Sequence, residues 1–385
     1  MRVVVAPDKF KGSMTALQAA EAMARGVAAA VPGATVDRVP MADGGEGTVD
    51  ALVAATGGSY REVRVTGPLG EPVLARFGLL GDGLTAVIEM AAASGLVLVP
   101  AERRNPLIAS TRGTGELLLA AIAAGARRVI VGIGGSATND GGAGLGQSLG
   151  FRLFDDEGRD LEPGGGSLDR LARIDPSGRR PELDGVEIAV ACDVTNPLCG
   201  PNGASTVYGP QKGASREMIE MLDRNLAQFA DIMARDLGVA IKDLPGSGAA
   251  GGLGGGLVAF AAGKIEPGVD LVINAVKLEE RLTNAALCLT GEGAIDGQSA
   301  FGKTAVGVAR LARSLHCPTL ALAGRIDPGA EGVLEEGVDA YFSICPGPIR
   351  LDEAIAQAGL LLERATEQAV RAFLAGRGWP DAEKT

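Results

Sequence analysis

Six glycine-rich stretches hold most of the side chains that could do chemistry. Three come early: Asp8-Lys9-Phe10-Lys11-Gly12-Ser13, Asp43-Gly44-Gly45-Glu46-Gly47-Thr48 and Gly134-Gly135-Ser136-Ala137-Thr138-Asn139-Asp140-Gly141-Gly142. Three come later: Asp193-Val194-Thr195-Asn196-Pro197 with Gly200-Pro201-Asn202-Gly203, then Gly209-Pro210-Gln211-Lys212-Gly213, then Gly291-Glu292-Gly293-Ala294-Ile295-Asp296-Gly297-Gln298. Bare backbone N–H groups in a glycine turn can approach phosphate oxygens closely, and a helix N-terminus favours the anion. Lysines add compact positive charge, and carboxylates hold Mg2+ or accept a hydroxyl proton. The chemistry these types share is the handling of phosphate. Only 8 of the 36 Lys and Arg residues are Lys, and four of those (Lys9, Lys11, Lys212 and Lys303) sit in or beside these stretches. A chain that otherwise prefers Arg thus places Lys where a point charge is useful.

Any one stretch alone reads as well as a plain turn; the weight lies in the set. Gly297 to Thr304 fits GxxxxGK[ST] literally, but it follows a long Gly/Asp loop rather than a strand, so a Walker-type fold is not expected. Asp37 and Asp50 read as solvated charges and Cys192 as buried strand filler. His316 reads as a helix-end cap or surface residue.

Strands and helices must position these loops. The run at residues 2–6 predicts a buried parallel strand. A helix follows, with Thr15 and Gln18 at capping-box spacing. Val36–Met41 is the next strand, and the Asp43–Thr48 stretch opens another helix. Short strands are expected at Arg61–Val65, Pro72–Leu79 and Leu84–Met90, paired antiparallel. Thr114–Ala124 reads as a helix, with strands at Arg128–Ile133 and Glu187–Ala191. Ser215 caps a long amphipathic helix to Leu237, with Met218, Leu222, Leu226, Phe229 and Met233 inward and Gly238 as its stop. The parallel rhythm returns with strands at Ala285–Thr290, Thr319–Ala323 and Ala340–Ile344, a helix at Thr304–Leu315 and one long closing helix over residues 351–375. The expected fold is α/β in two domains: a discontinuous Rossmann- or flavodoxin-like parallel-sheet domain (1–62 and 283–385) with an inserted mixed α/β domain (63–282). A ligand cleft is expected at their junction, against the carboxyl ends of the strands.

Composition narrows the classes. The chain has 385 residues, 46% hydrophobic and 22% charged, with a formal net charge of −11. That charge opposes a nucleic-acid role. A single histidine argues against Ser-His-Asp triads and HExxH zinc sites. Five cysteines without metal-ligand spacing argue against a disulfide framework. The uncharged run from Leu244 to Gly263 is glycine-studded, which predicts a buried loop entering a helix rather than a membrane span. The opening MRVVVAPDKF has too short an apolar run for a signal peptide. A soluble cytoplasmic protein is expected, with no nucleic-acid or membrane partner; a homodimer is allowed.

The motifs together, in order and across nearly the whole chain, resemble the type I glycerate kinases. The residues concerned are Ala6 to Ser13, Pro40 to Thr48, Gly132 to Gly142, Ala191-Cys192-Asp193-Val194 with Asn196-Pro197-Leu198, Gly209 to Gly213, and Thr290 to Gly293 with Ile295 to Gln298. Ala294 stands where the family pattern carries a basic residue. The resemblance implies ATP-dependent, Mg2+-assisted phosphorylation of D-glycerate, usually giving 2-phosphoglycerate. With phosphoryl-transfer chemistry it suggests roles. Asp193 is the expected base. Lys11 and Lys212 would bind substrate carboxylate or stabilise the moving phosphoryl group. Gly134, Gly135, Ser136, Thr138, Asp140 and Lys303 would hold the nucleotide, and Asp8, Lys9, Ser13, Asn196 and Gln211 the substrate. Asp43 and Glu46, or Glu292 and Asp296, would hold Mg2+. Two alternatives stay open: a kinase of another small hydroxy acid or polyol, and a catalytically silent nucleotide- or metabolite-binding regulator.

Overall fold

In the computed structural model, which describes residues 1–297 and 303–376, the β-branched run Arg2–Val5 forms strand β1 with Val3, Val4 and Val5 fully buried. Strand β2 is Thr35–Arg38. Strands β3 (Ser59–Thr66), β4 (Pro72–Leu79), β5 (Thr85–Glu89) and β6 (Arg128–Gly132) follow. Next come β7 (Arg152–Phe154), β8 (Arg173–Asp175), β9 (Glu187–Ala191) and β10 (Lys264–Glu266). Strands β11 (Leu287–Ile295), β12 (Thr319–Ile326) and β13 (Ala340–Ser343) close the series. The chain divides into two compact units. Unit one is Met1–Asp43, Asp50–Thr56 and the segment from Val272 onward; unit two is Gly44–Val49 and Gly57–Leu271.

Unit one is built on a five-stranded sheet in the order β13-β12-β11-β1-β2, every pair parallel. Alternate residues serve opposite faces. Val3, Val5, Leu287, Leu289, Leu320 and Leu322 pack in one cluster with Ala19, Met23 and Val27 of the helix Ala16–Ala30 and Leu362, Ala369 and Val370 of the helix Ala358–Gly376. Ala321 and Ala323 join Val306 and Ala309 of the helix Thr304–Ser314 in the other. Helices thus cover both faces, and the strand order reverses between β1 and β11. In open parallel sheets such a reversal leaves a crevice at the carboxyl ends of the two strands.

The helix Ala16–Ala30 begins as the spacing predicts. Thr15 Oγ1 accepts the Gln18 N–H at 3.2 Å, and Gln18 Oε1 accepts the Thr15 N–H at 2.9 Å. Thr15→Ala should therefore lower stability by about 1 kcal/mol, read by urea denaturation, with Thr15→Ser near the parent. A loss as large in Thr15→Ser would mean that the cap is not what the threonine supplies.

Three readings change. Strand β2 stops at Arg38, because only its first residues carry the ladder; Val39 and Met41 continue as single N–H bonds to Val5 O and Pro7 O. Asp37 is paired rather than solvated: Arg281 Nη1 donates to Oδ1 at 2.8 Å, and Arg2 Nη2 lies 3.7 Å from Oδ2. Arg281 also donates to the Ala55 and Val276 carbonyls, tying three separated segments of unit one. The closing helix is two helices, Leu351–Ala356 and Ala358–Gly376, broken at Gln357 (φ −107°, ψ 7°). The first buries no residue, whereas the second buries Leu361, Leu362, Ala369 and Val370, so the break lets only the second turn an apolar face to the sheet.

Unit two carries a six-stranded sheet in the order β10-β9-β6-β5-β4-β3. β3, β4 and β5 pair antiparallel as expected, while β5, β6, β9 and β10 run parallel. The helix Arg216–Leu237 buries Leu222, Leu226, Phe229 and Met233, with Ser215 at its N-cap and Gly238 in the left-handed region at its end. Met218 is half-buried, its Sδ taking the Ser215 N–H. The uncharged Gly-rich run turns through a loop into the helix Leu253–Ala261. Among the described residues no helix is long and apolar enough to cross a membrane. All five cysteines are free thiols.

Candidate active site

In unit one the candidate residues gather where the strand order reverses. The Asp8 N–H bonds Gly291 O on β11 at 2.9 Å, which sets Asp8 just beyond β1 at the edge of β11. Its side chain is buried. Oδ1 accepts the Lys9 N–H and Oδ2 the Thr304 hydroxyl, each at 2.6 Å. Burial pushes this carboxyl above the usual range, and the Thr304 bond pulls against that. Thr304 is the first residue of its helix, so one hydrogen bond ties the helix N-terminus to the end of β1.

Glu292 lies in β11, half-buried, with Oε1 buried and without a hydrogen-bond partner among the described residues. Burial pushes its carboxyl up to about 7; Lys303 opposes that, while Asp8, Asp296 and Asp43 reinforce it. Lys303 Nζ stands 3.1 Å from Asp296 Oδ1. The stretch from Gly291 to Ile295, read from sequence as loop, is strand. Gly291 makes this possible, since a Cβ there would lie 2.1 Å from Leu322 O on the neighbouring strand. Residues 298–302 of the Gly297–Thr304 stretch, Gln298 among them, fall outside the described residues. Lys11 is exposed, Lys9 is half-buried, and Ser13 Oγ donates to Phe10 O at 3.0 Å within its own turn.

No group of three or more His, Cys, Asp or Glu among the described residues could by itself hold a metal ion. Mg2+ asks less of a protein: one or two carboxylates, with water and phosphate oxygens completing its shell. The unpartnered buried Oε1 of Glu292, within electrostatic reach of Asp296, fits that demand. Asp43 belongs to unit one and the exposed Glu46 to unit two.

In unit two the chain leaves β6 through Gly134 and Gly135, both exposed, and then turns inward. Ser136 is nearly buried in a bridge with Gly95, and Thr138, Asn139 and Asp140 are fully buried. The Asp140 carboxylate is committed to the fold. Oδ2 accepts Thr111 N–H and Oγ1–H, both at 2.9 Å, and Gly144 N–H at 3.2 Å; Oδ1 accepts Gly142 N–H at 3.2 Å. Burial pushes its carboxyl up, and these donors pull it back.

Lys212 is 1% exposed, and its Nζ donates to Thr138 O at 2.6 Å. Burial lowers this ammonium from 10.5 to about 7, with Asp140 opposing. In the unfolded chain Lys212 keeps its proton up to about 10.5, while the folded chain releases it from about 7. Unfolding therefore takes up a proton in that window, and stability should rise with pH across it. Lys212→Met should lose this rise. Parallel stability curves for parent and variant between pH 7 and 10 would count against it.

At the end of β9, Cys192 is buried, and burial raises its thiol, consistent with filler. Asp193 is exposed and Oδ1 accepts the Gly268 N–H at 2.8 Å. Asn196 Oδ1 accepts the Tyr208 hydroxyl at 2.7 Å, and its Nδ2 donates to Asn202 O. Gln211 is exposed, with its carbonyl taking Arg104 Nη1 at 3.3 Å.

Unit one thus brings together Asp8, Glu292, Asp296 and Lys303, while unit two links the loops carrying Thr138, Lys212 and Asn196. Sequence reasoning missed Thr304, Thr111, Ser205 and Tyr208. Thr304 had a signal, standing directly after Lys303 at the start of an apolar-periodic run. The other three act only through partners distant in sequence.

A family profile described as the glycerate kinase family matches residues 3–374. A glycerate kinase of Bacillus subtilis (strain 168) is 53% identical over 364 residues, covering 94% of this chain and 95% of that one. A glycerate 2-kinase of Escherichia coli (strain K12) is 51% identical over 354 residues, with coverage of 92% and 93%. A solved structure from Salmonella typhimurium LT2, assigned as a glycerate kinase 2, matches with a TM-score of 0.89 at 47% identity, covering 98% of this chain and 99% of that one.

Proposed function

The chain belongs to the glycerate kinase family, and from that premise we propose that it transfers the terminal phosphoryl group of ATP to the 2-hydroxyl of D-glycerate, giving 2-phosphoglycerate and ADP. The observation that carries this reading is 51% identity over more than nine-tenths of both chains to a relative named for the 2-kinase activity.

The acceptor oxygen attacks the γ-phosphorus as the bond to the bridging oxygen of ADP breaks, and the hydroxyl proton leaves to a base. Asp193 is that base: it is exposed at a strand end, and the Gly268 N–H on Oδ1 orients its carboxylate. Gly134, Gly135 and Ser136 offer main-chain N–H groups to nucleotide phosphates, at the end of β6 where ligands of parallel sheets bind. Lys303 adds positive charge for the nucleotide at the start of the helix Thr304–Ser314. Glu292 and Asp296 would hold Mg2+, which when bound would neutralise phosphate charge. The exposed Lys11 serves the glycerate carboxylate. Asp8 orders the end of β1 through Thr304, and Asn196 shapes the loop that carries Asp193.

Phosphorus-31 NMR after incubation with ATP, Mg2+ and D-glycerate tests the reading. The expected product signal is that of 2-phosphoglycerate. A 3-phosphoglycerate signal would refute the regiochemistry, and greater kcat/KM on tartronate or glycerol would refute the substrate.

A further inference from the structure

We infer that Lys212 is a positioning residue for the Gly134–Asp140 loop, acting through the Thr138 carbonyl and touching neither nucleotide nor glycerate. Thr138 and Asn139 are fully buried, yet neither pairs its backbone with another backbone group among the described residues. Buried backbone groups are nearly always paired, so whatever satisfies this stretch also fixes it.

One side-chain bond pairs a backbone carbonyl here, and a second anchors the neighbouring side chain. Lys212 Nζ donates to Thr138 O at 2.6 Å, and Asn139 Nδ2 donates to Ser205 Oγ at 2.9 Å. Both come from one short segment, the helix Ala204–Tyr208 and the turn Pro210–Lys212. The same segment sends the Tyr208 hydroxyl to Asn196, in the loop that carries Asp193. Residues 204–212 therefore fix the loops leaving β6 and β9 together.

The surroundings leave the Thr138 carbonyl little freedom. Gly251 packs so closely that a Cβ there would lie 2.0 Å from Thr138 O. An ammonium that is 1% exposed in this setting serves the loop from within. Thr138 Oγ1 and Asn139 Oδ1 are buried without partners among the described residues, so neither side-chain oxygen supplies another tie there. Ser136 and Ala137 are tied to Ser94 and Gly95, and Gly141 to Gly251, so cutting the lysine should loosen the middle of the stretch, between the exposed Gly134–Gly135 turn and the anchored Asp140.

The consequence for nucleotide binding rests on the reading of Gly134–Ser136 as the phosphate turn. The test compares the full-length parent with Lys212→Met by hydrogen–deuterium exchange over residues 134–141, ATP titration calorimetry and steady-state kinetics. The expected result is faster exchange in that segment and ATP affinity weakened about tenfold, a usual size for coupling between sites, with a smaller fall in kcat at saturating ATP. Lys212→Arg, which keeps a donor, should restore part of the protection. Unchanged exchange overturns the inference. So does a collapse of kcat with ATP affinity intact, the signature of a group that touches the moving phosphoryl.

Should Lys212→Met not fold, Ser205→Ala cuts the second tie, and faster exchange at Asn139 is again expected; unchanged exchange there counts against the inference. Gly135→Val separates the two ideas, because φ is +74° there and an L side chain is strained. If it leaves ATP affinity intact while Lys212→Met still speeds exchange, the phosphate-turn reading fails and the positioning role stands.

Discussion

Asp193→Asn should lower kcat by a factor of about 10²–10⁴, the usual contribution of a positioned general base, with ATP affinity largely unchanged. The amide has the shape of the carboxylate and its oxygen can still accept the Gly268 N–H that holds Oδ1 at 2.8 Å. What it cannot do is take the proton of the acceptor hydroxyl. The variant thus separates chemistry from architecture. Coupled detection of ADP gives the turnover, and titration calorimetry gives the affinity. Near-normal turnover would remove Asp193 from the role.

Much of the scaffold was legible because it obeys local rules. The Thr15/Gln18 capping box, the Ser215 cap and the Gly238 stop all depend on residues within one or two helical turns, and each forms as its spacing predicts. The strand Glu187–Ala191 matches the expected span because an apolar run between turn residues leaves one option. The failures share a cause. Gly291 to Ile295 looked like loop because glycine and acidic residues dominate it, and a pattern cannot report that the neighbouring strand approaches too closely for any side chain at Gly291. Asp37 looked solvated because its partner Arg281 lies 244 residues away. The break at Gln357 depends on which helix meets the sheet, and the apolar spacing of residues 351–375 alone did not separate the two segments.

The candidate site divides along the same line. Residue types were readable: Lys212, Asp140 and Glu292 were singled out for their charge and their glycine neighbours. Their environments were not. A lysine between Gln211 and Gly213 gives no sign in sequence that it is buried against the Thr138 carbonyl, 74 residues away. Asp140 sits in a glycine-rich stretch of the kind that cradles phosphate, yet its oxygens face inward to Thr111, Gly142 and Gly144. The exposed part of that loop is only its first turn. A motif read along the chain merges the part that meets ligand with the part that roots it.

Asp140→Ala should lower stability by several kcal/mol, since each buried donor left without an acceptor costs about 1–3 kcal/mol. Three N–H groups and the Thr111 hydroxyl would lose their acceptor, and Lys212 would lose the negative charge that offsets part of its burial. Asp140→Asn should cost clearly less. Its oxygen in the place of Oδ2 still accepts from Thr111 and Gly144, and only the Gly142 N–H meets an amide that cannot accept. Because Asp140 and Lys212 interact, Asp140→Ala combined with Lys212→Met should destabilise by less than the sum of the single changes, by about 0.5–3 kcal/mol. Urea denaturation of the four proteins measures the cycle. Additive losses would mean that the two buried charges do not sense each other, and that the loop is held at its two ends independently.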